Sequence, residues 1–343
     1  STKLIVKILF FVFIVSFTGC EFFADKHKEI SFSGKTMGTI YNIKAYGVNK
    51  THNKKSLKKE VETVLKVINQ QMSVYDKNSE ISKLNNNKEA KPYKVSKELF
   101  KVISLARSIG IKTDGAYDIT IAPLINLWGF GNKERRNVVI PDHEINIVKR
   151  LYGLDKYDLN QTKSNINKKS DYLIFNLSSI AKGHGVDVVV KYLKARGVKN
   201  FIVEIGGEVK TSGKKPDGTS WKIGVERPDS KVRDLQEIIK INDLAVATSG
   251  DYRNYFEKNG KRYSHMINPK SGRPITHNLA SVTVVDNSCA VADAWATALM
   301  IVGLEEAIKI AKKEKLMAYF ISRASTGFEV LMTDNFRKLI IKK

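Results

Sequence analysis

The segment Cys289-Ala-Val-Ala-Asp-Ala-Trp-Ala-Thr-Ala-Leu-Met300 is apolar or small throughout, except at Asp293 and Thr297. A four-residue spacing puts these two oxygen-bearing side chains on one helical face, one turn apart. A carboxylate in so apolar a helix is costly unless a cation or hydrogen-bond donors meet it. Two readings follow. In one, the oxygens hold a hard cation, magnesium or calcium rather than zinc, because the ligands are oxygen only. In the other, Asp293 bonds a neighbouring helix N-terminus and Thr297 bonds back to its own helix.

A second group is Leu177-Ser-Ser-Ile-Ala-Lys-Gly-His-Gly-Val-Asp187. Serines at a helix start, followed by Lys182, offer backbone N–H groups, the positive end of a helix dipole and an ammonium, all suited to a phosphate. The same serines also make an ordinary N-cap. Ile205-Gly-Gly-Glu208 is a paired-glycine turn that lets backbone approach a ligand, or simply closes a hairpin. The common nucleotide and metal signatures are absent from the sequence. There is no Gly-x-x-x-x-Gly-Lys-Ser/Thr loop and no His-Glu-x-x-His. Gly183-His-Gly185 lacks the third glycine and the clear preceding strand of a dinucleotide-binding turn.

The elements that must position these groups follow from periodicity. Residues 29–46 alternate apolar and polar side chains and read as strand. Val61, Val64, Leu65, Ile68 and Met72 predict an amphipathic helix over 57–72. Ser96 caps a second helix to about residue 112, with Leu99, Val102, Ile103 and Ala106 on one face. A short segment at 122–128 precedes a polar stretch at 132–141. A short helix is expected at 142–151, weak strands over 157–175, and a helix from Ser178 or Ser179 to about 196. Strands are expected at 201–205, 208–212, 221–226, 237–241, 244–248 and 281–285. A helix at 288–302 closed by Gly303, a further helix and two strands complete the chain. Runs of strands between helices, without strict alternation, indicate an α+β fold rather than a doubly wound sheet.

The 343 residues suffice for one large domain or two lobes around a cleft. Lys and Arg together number 58 against 35 Asp and Glu, a formal charge of +23. The lysines are spread and interleaved with apolar residues, as on solvated faces, so nucleic acid is not an expected partner. The N-terminus is more specific. Lys3 and Lys7 precede the apolar run Ile8-Leu-Phe-Phe-Val-Phe-Ile-Val-Ser-Phe17, and Thr18-Gly19-Cys20 follows. This has the form of a signal peptide and is short for a spanning helix of about 20 apolar residues. The Gly19-Cys20 junction resembles a bacterial lipobox, which implies a signal peptide over 1–19, lipid on Cys20 and a polar tether over 20–30. An uncleaved anchor is the alternative; either way the bulk of the chain lies outside the inner membrane. With Cys20 lipidated, Cys289 is left alone, and no internal disulfide is expected.

A set of short motifs then occurs in order. It runs through Met37-Gly-Thr39, Met72-Ser-Val-Tyr-Asp76 with Ser79-Glu-Ile-Ser-Lys-Leu-Asn85, Gly115-Ala-Tyr-Asp-Ile-Thr120 and Pro123-Leu-Ile-Asn-Leu-Trp-Gly-Phe-Gly131. It continues with Ser179-Ile-Ala-Lys-Gly183, Glu204-Ile-Gly-Gly207, Ala247-Thr-Ser-Gly-Asp-Tyr-Arg-Asn-Tyr-Phe256, His265-Met-Ile-Asn-Pro-Lys-Ser-Gly272 and Ala292-Asp-Ala-Trp-Ala-Thr297. From about residue 30 to the C-terminus the chain resembles the ApbE family of FAD:protein FMN transferases. That resemblance implies one domain over 31–343, two-lobed, with mixed or antiparallel sheets, helices packed on them and the flavin and metal site in the cleft. It implies a Mg²⁺-dependent transfer of FMN from FAD to a Thr or Ser of an exported redox subunit, with release of AMP. The acceptor would carry a short Gly-Ala-Thr/Ser-like motif. A FAD diphosphatase giving FMN and AMP, or a flavin-binding lipoprotein without catalysis, are the alternatives.

Residue by residue, the resemblance places Mg²⁺ on Asp293, Thr297 and the backbone carbonyl of Ser179. FAD contacts fall on Met37, Tyr75, Gly115, Ala116, Tyr117, Asn176, Lys182 and Ile267. His265 matches the histidine associated with flavin transfer, and Asp251-Tyr-Arg253 a loop near the flavin. Asn176 and Asn268 stand where many members carry Asp, which puts a general-base role at those two positions in doubt.

Overall fold

The computed structural model describes residues 28–48, 53–88, 91–131, 137–228, 234–252 and 254–341. The expected signal peptide, Cys20 and most of the tether lie outside these residues, as does Arg253. Among the described residues no helix is long and apolar enough to cross a membrane.

The chain opens with β1 (Glu29–Thr36) and β2 (Thr39–Tyr46), two strands where the alternation predicted one. Met37 and Gly38 both take left-handed φ, 50° and 70°, and so form a two-residue hairpin turn that alternation alone cannot signal. Helix α1 (Lys54–Met72) buries Leu57, Val61, Leu65, Ile68 and Met72, the predicted face, behind an Asn53–Ser56 capping box. Then come α2 (Glu80–Asn86), β3 (Tyr93–Lys94) and α3 (Lys97–Lys112), the last capped by Ser96 as expected. Helices α4 (Ala122–Leu127) and α5 (Asp142–Val148) are short. The expected strands over 157–175 reduce to β4 (Tyr157–Asn160) and β5 (Asn165–Lys168).

Helix α6 (Ala181–Ala195) starts after both serines, and neither of them caps it. Strands β6 (Asn200–Ile205), β7 (Glu208–Ser212), β8 (Trp221–Glu226), β9 (Leu235–Ile241) and β10 (Ala245–Gly250) follow. Hairpins β11 (Tyr255–Lys258) with β12 (Lys261–Ser264), and β13 (Ile267–Asn268) with β14 (Arg273–Pro274), come next. The chain ends with β15 (Leu279–Asp286), α7 (Cys289–Val302), α8 (Leu304–Lys313), β16 (Met317–Arg323), β17 (Phe328–Met332) and α9 (Asp334–Arg337).

The main sheet has the order β1-β2-β6-β7-β10-β15-β16-β17. Its neighbours pair antiparallel throughout. The fold is therefore α+β. Period-two alternation sends Ala247 and Phe320 to one face, Val246 and Ile321 to the other. On the first face the sheet packs against α1, α3, α6, α7 and α8 to form the principal core. The second face is covered by the β8–β9 ribbon and α9 through Val225, Ile239, Ile241 and Phe336. A smaller cluster gathers Ile121, Leu124, Trp128, Ile145, Tyr152, Phe256 and Ile267. The site lies between this cluster and the α6–α7 side of the principal core.

Candidate active site

A cavity of about 440 Å³ opens between these two bodies of packing. Its lining includes Tyr117, Asn176, Ser179, Lys182, His265, Ile267, Asp293 and Thr297. Eight expected site residues thus meet, although the first and last of them, Tyr117 and Thr297, are 180 positions apart in sequence. Met37, Tyr75, Gly115 and Ala116 are not part of that lining. Met37 sits at the β1–β2 turn with its side chain against Gly185. Tyr75 is 78% exposed, and Ala116 is buried in the principal core beside Gly115.

Helices α6 and α7 bring the polar set together. A Cβ on Gly183 would lie 2.3 Å from the Cys289 carbonyl oxygen and 2.8 Å from the Asp293 Cβ. Only glycine allows this approach, and it seats Asp293 against the first turn of α6. There the Gly183 N–H donates to Asp293 Oδ2 at 3.0 Å. The helix-N-terminus reading of Asp293 is therefore realised for one oxygen. Because that N–H turns to Asp293, the carbonyl of Ser179 four residues back accepts no hydrogen bond from the described residues. Thr297 does not bond back to its own helix; its hydroxyl pairs with Ser249 Oγ on β10 at 3.1 Å. The Ser179 hydroxyl meets Tyr117 Oη at 2.9 Å rather than capping α6.

Burial dominates the electrostatics. Asp293 is 4% exposed. Burial, and then the Glu208 carboxylate, push its carboxyl well above the usual range, while Lys182 and the Gly183 N–H work against them. Lys182 Nζ lies 2.6 Å from Glu208 Oε2. Burial disfavours the Lys182 ammonium, but Glu208 and Asp293 outweigh it and hold the group above its ordinary pKa. Burial raises Glu208, opposed by that same ammonium. Burial thus presses both carboxyls toward their neutral forms, with one ammonium between them to oppose it. A cation added beside Asp293 would favour the charged carboxylate, and burial makes that effect large.

Among the described residues no three His, Cys, Asp or Glu side chains cluster to hold a metal. The donors present are instead one carboxylate, one hydroxyl and one backbone carbonyl. All are oxygen, and they are too few to enclose an ion. This set fits Mg²⁺, which binds through one or two carboxylates and takes its other ligands from water and substrate phosphates.

His265 stands on another wall, carried by the chain leaving β12. Its Nδ1 lies 3.1 Å from the Asn254 carbonyl oxygen, and its backbone N–H donates to that oxygen at 3.0 Å. A carbonyl can only accept, so the imidazole donates to it from Nδ1. Phe130 meets the imidazole edge-on at 6.5 Å. Stacked Phe130, Phe256, Tyr263 and Trp128 then tie the β11–β12 hairpin to the end of α4. Asn176 lines the cavity with its Oδ1 accepting from Ser178 N–H at 2.9 Å, so it orders the approach to α6.

Several lining residues carry no individual role in the sequence reading, Asp118, Glu208, Glu226, Thr248 and Ser249, whereas Tyr252 belongs to the loop expected near the flavin. Asp118 is raised by burial and accepts from Thr120 N–H and Oγ1 at 2.8 and 2.6 Å. Glu208 had a usable signal, a charged residue directly after Gly206-Gly207 at the start of an otherwise buried strand. The β11–β12 hairpin also had one, Asn259-Gly260 between short alternating runs.

The ApbE family's sequence model matches residues 37–321. The chain is 41% identical over 324 residues to the FAD:protein FMN transferase of Vibrio cholerae, covering 94% of this chain and 96% of that one. It is 38% identical over 342 residues to the protein of the same name from Haemophilus influenzae, covering 98% of each. The solved flavin transferase ApbE from Vibrio cholerae superposes with a TM-score of 0.84 at 40% identity, over 91% of this chain and 99% of that one. The family model, the identities and the near-complete coverage agree, and the chain belongs to the ApbE family.

Proposed function

We propose that the chain is a Mg²⁺-dependent FAD:protein FMN transferase that attaches FMN to a Thr or Ser hydroxyl of an acceptor protein and releases AMP. The observation that carries this is the meeting, in one cavity, of an oxygen-only donor set, a lysine at a helix start and a histidine held through Nδ1 by a backbone carbonyl. The names of the relatives supply the reaction class. Asp293, Thr297 and the Ser179 carbonyl would hold Mg²⁺, which when bound neutralises diphosphate charge and orients the phosphate for in-line displacement.

The chain's own residues do the rest. Lys182, kept cationic by Glu208, stabilises the oxygens of the phosphorus under attack. His265 Nε2 takes the proton of the acceptor hydroxyl as its oxygen bonds to the FMN phosphorus. The bond from that phosphorus to the AMP phosphate oxygen breaks, and AMP leaves with the electron pair. Tyr117, Asn176 and Ile267 line the cavity around the ligand. Met37, Tyr75, Gly115 and Ala116 would meet FAD only where it extends beyond that lining.

The test is incubation of the full chain with FAD and a protein carrying a Gly-Ala-Thr/Ser motif, with and without Mg²⁺, followed by intact mass. An acceptor gaining FMN minus water, only with Mg²⁺, is the expected result. Free FMN and AMP beside an unmodified acceptor would support the diphosphatase instead, and intact bound FAD a flavin carrier. Asp293→Ala should abolish the Mg²⁺-dependent product; full turnover would exclude it as a ligand. The proposed location is outside the inner membrane, held by lipid on Cys20. Cys20→Ala should then release the protein from the membrane fraction.

A further inference from the structure

The segment that holds His265 is itself anchored from the far end of the main sheet. β10 ends at Gly250, and the next residue, Asp251, is 5% exposed. Its carboxylate is gripped by both terminal nitrogens of Arg323, the last residue of β16, at 2.9 Å to Oδ2 and 2.5 Å to Oδ1. The Asp251 N–H donates to the Ala280 carbonyl at 3.2 Å, and the Arg323 N–H to the Asn278 carbonyl at 2.8 Å. Both partners are therefore tied to backbone at or next to the start of β15. Such a two-pronged pair fixes direction as well as distance.

Three residues beyond Asp251 is Asn254, whose carbonyl oxygen accepts from both the backbone N–H and Nδ1 of His265. Three residues of chain span at most about 10 Å, so fixing Asp251 restricts where that carbonyl can lie. Gly250, Tyr252, Asn254 and His265 all line the cavity, whereas Asp251 and Arg323 do not. The clamp is therefore set back from the cavity wall. What it controls is the acceptor that sets the imidazole's tautomer and angle.

We propose that Arg323 is a positioning residue for His265, acting through Asp251 and the Asn254 carbonyl. The proposal rests on the transferase reading in which His265 Nε2 is the base. Losing the two-pronged grip frees Asp251, and with it the Asn254 carbonyl, to shift, and a displacement near 1 Å at a reacting group costs on the order of 100-fold in rate. The polar groups of α6 and α7 bond to Glu208, Gly183 and Ser249 rather than to the clamp, so FAD binding should change far less than the placement of His265.

The experiment compares the full-length chain with Arg323→Lys, which keeps the charge but not the fork. It also includes the pair Asp251→Asn with Arg323→Met, which leaves no buried charge behind if a single truncation fails to fold. Three quantities are measured: kcat for FMN transfer, the FAD Kd, and the ¹⁵N signals of the imidazole in ¹⁵N-histidine-labelled protein. The His265 signals are identified by their loss in His265→Asn. In the parent chain, shifts of an Nδ1–H, Nε2-basic tautomer are expected. Both variants should lower kcat by roughly 10- to 100-fold with the FAD Kd unchanged within about twofold, and the His265 ¹⁵N pattern should move toward averaged tautomers. An unchanged kcat and an unchanged ¹⁵N pattern in Arg323→Lys and in the double variant would overturn the proposal. So would equal losses in Kd and kcat, which mark a general structural role. If His265→Asn transfers FMN like the parent, the base reading fails. The ¹⁵N comparison still decides whether Arg323 positions the ring.

Discussion

At the scale of single residues, the site is organised around a charge imbalance. Asp293 and Glu208 are both nearly enclosed, and Lys182 answers only one of them at 2.6 Å. Removing one partner of a buried ion pair strands the other, at a cost of about 3–5 kcal/mol, whereas removing both is often near neutral. Lys182→Met should therefore destabilise the fold strongly, and adding Glu208→Gln should restore most of the loss. Urea unfolding of the single and double variants measures this. Both should transfer FMN poorly, because the ammonium is absent in each. A double variant with full stability and full activity would show that Lys182 has no part in phosphate recognition.

At the scale of elements, α6 and α7 act as one unit. Asp187 of α6 caps α7, accepting from Cys289 N–H and Ala290 N–H at 3.0 Å each and from Ser288 Oγ at 2.7 Å. Lys210 of β7 adds its Nζ at 2.7 Å. A cap of this kind is worth about 1–2 kcal/mol, and hydrogen bonds to a charged group add to it. Asp187→Ala should lower unfolding free energy by about 2 kcal/mol. Because α7 carries Asp293 and Thr297, the same variant should weaken Mg²⁺ dependence of turnover by several-fold, read as a rise in the Mg²⁺ concentration for half-maximal rate. A stability loss with an unshifted Mg²⁺ dependence would mean that α7 keeps its place without the cap. The elements also show what local pattern reveals. Leu57, Val61, Leu65, Ile68 and Met72 are buried as their spacing predicts, since a helix face against a sheet is a property of short-range periodicity. The β1–β2 hairpin was hidden because a turn of two left-handed residues interrupts no alternation.

At the scale of the whole molecule, the cavity draws on both the principal core and the smaller cluster around Trp128 and Ile267. A ligand that bridges them should stabilise both at once. At about 100 times its Kd, FAD with Mg²⁺ contributes about 2.7 kcal/mol, a rise of some 5 °C or more in Tm with the transition staying single. Differential scanning calorimetry tests it. A split transition, with only one part shifted, would show that the ligand engages one side alone. The +23 charge belongs to this scale too, since it describes a solvated surface and favours anionic ligands in general without selecting one.

The sequence by itself determined the α+β class, most helices, the shared face of Asp293 and Thr297, and the family to which the ordered motifs point. Each of these depends on residues within a few positions of one another, or on the order of motifs along the chain. Tertiary structure alone decided what those residues meet. Gly183 N–H reaches Asp293 across 110 positions, Ser249 reaches Thr297 across 48, and Lys182 finds Glu208 across 26. It also turned the two serines before α6 away from capping, one of them toward Tyr117. Such contacts are made by packing helices against a sheet, so no periodicity within either partner records them.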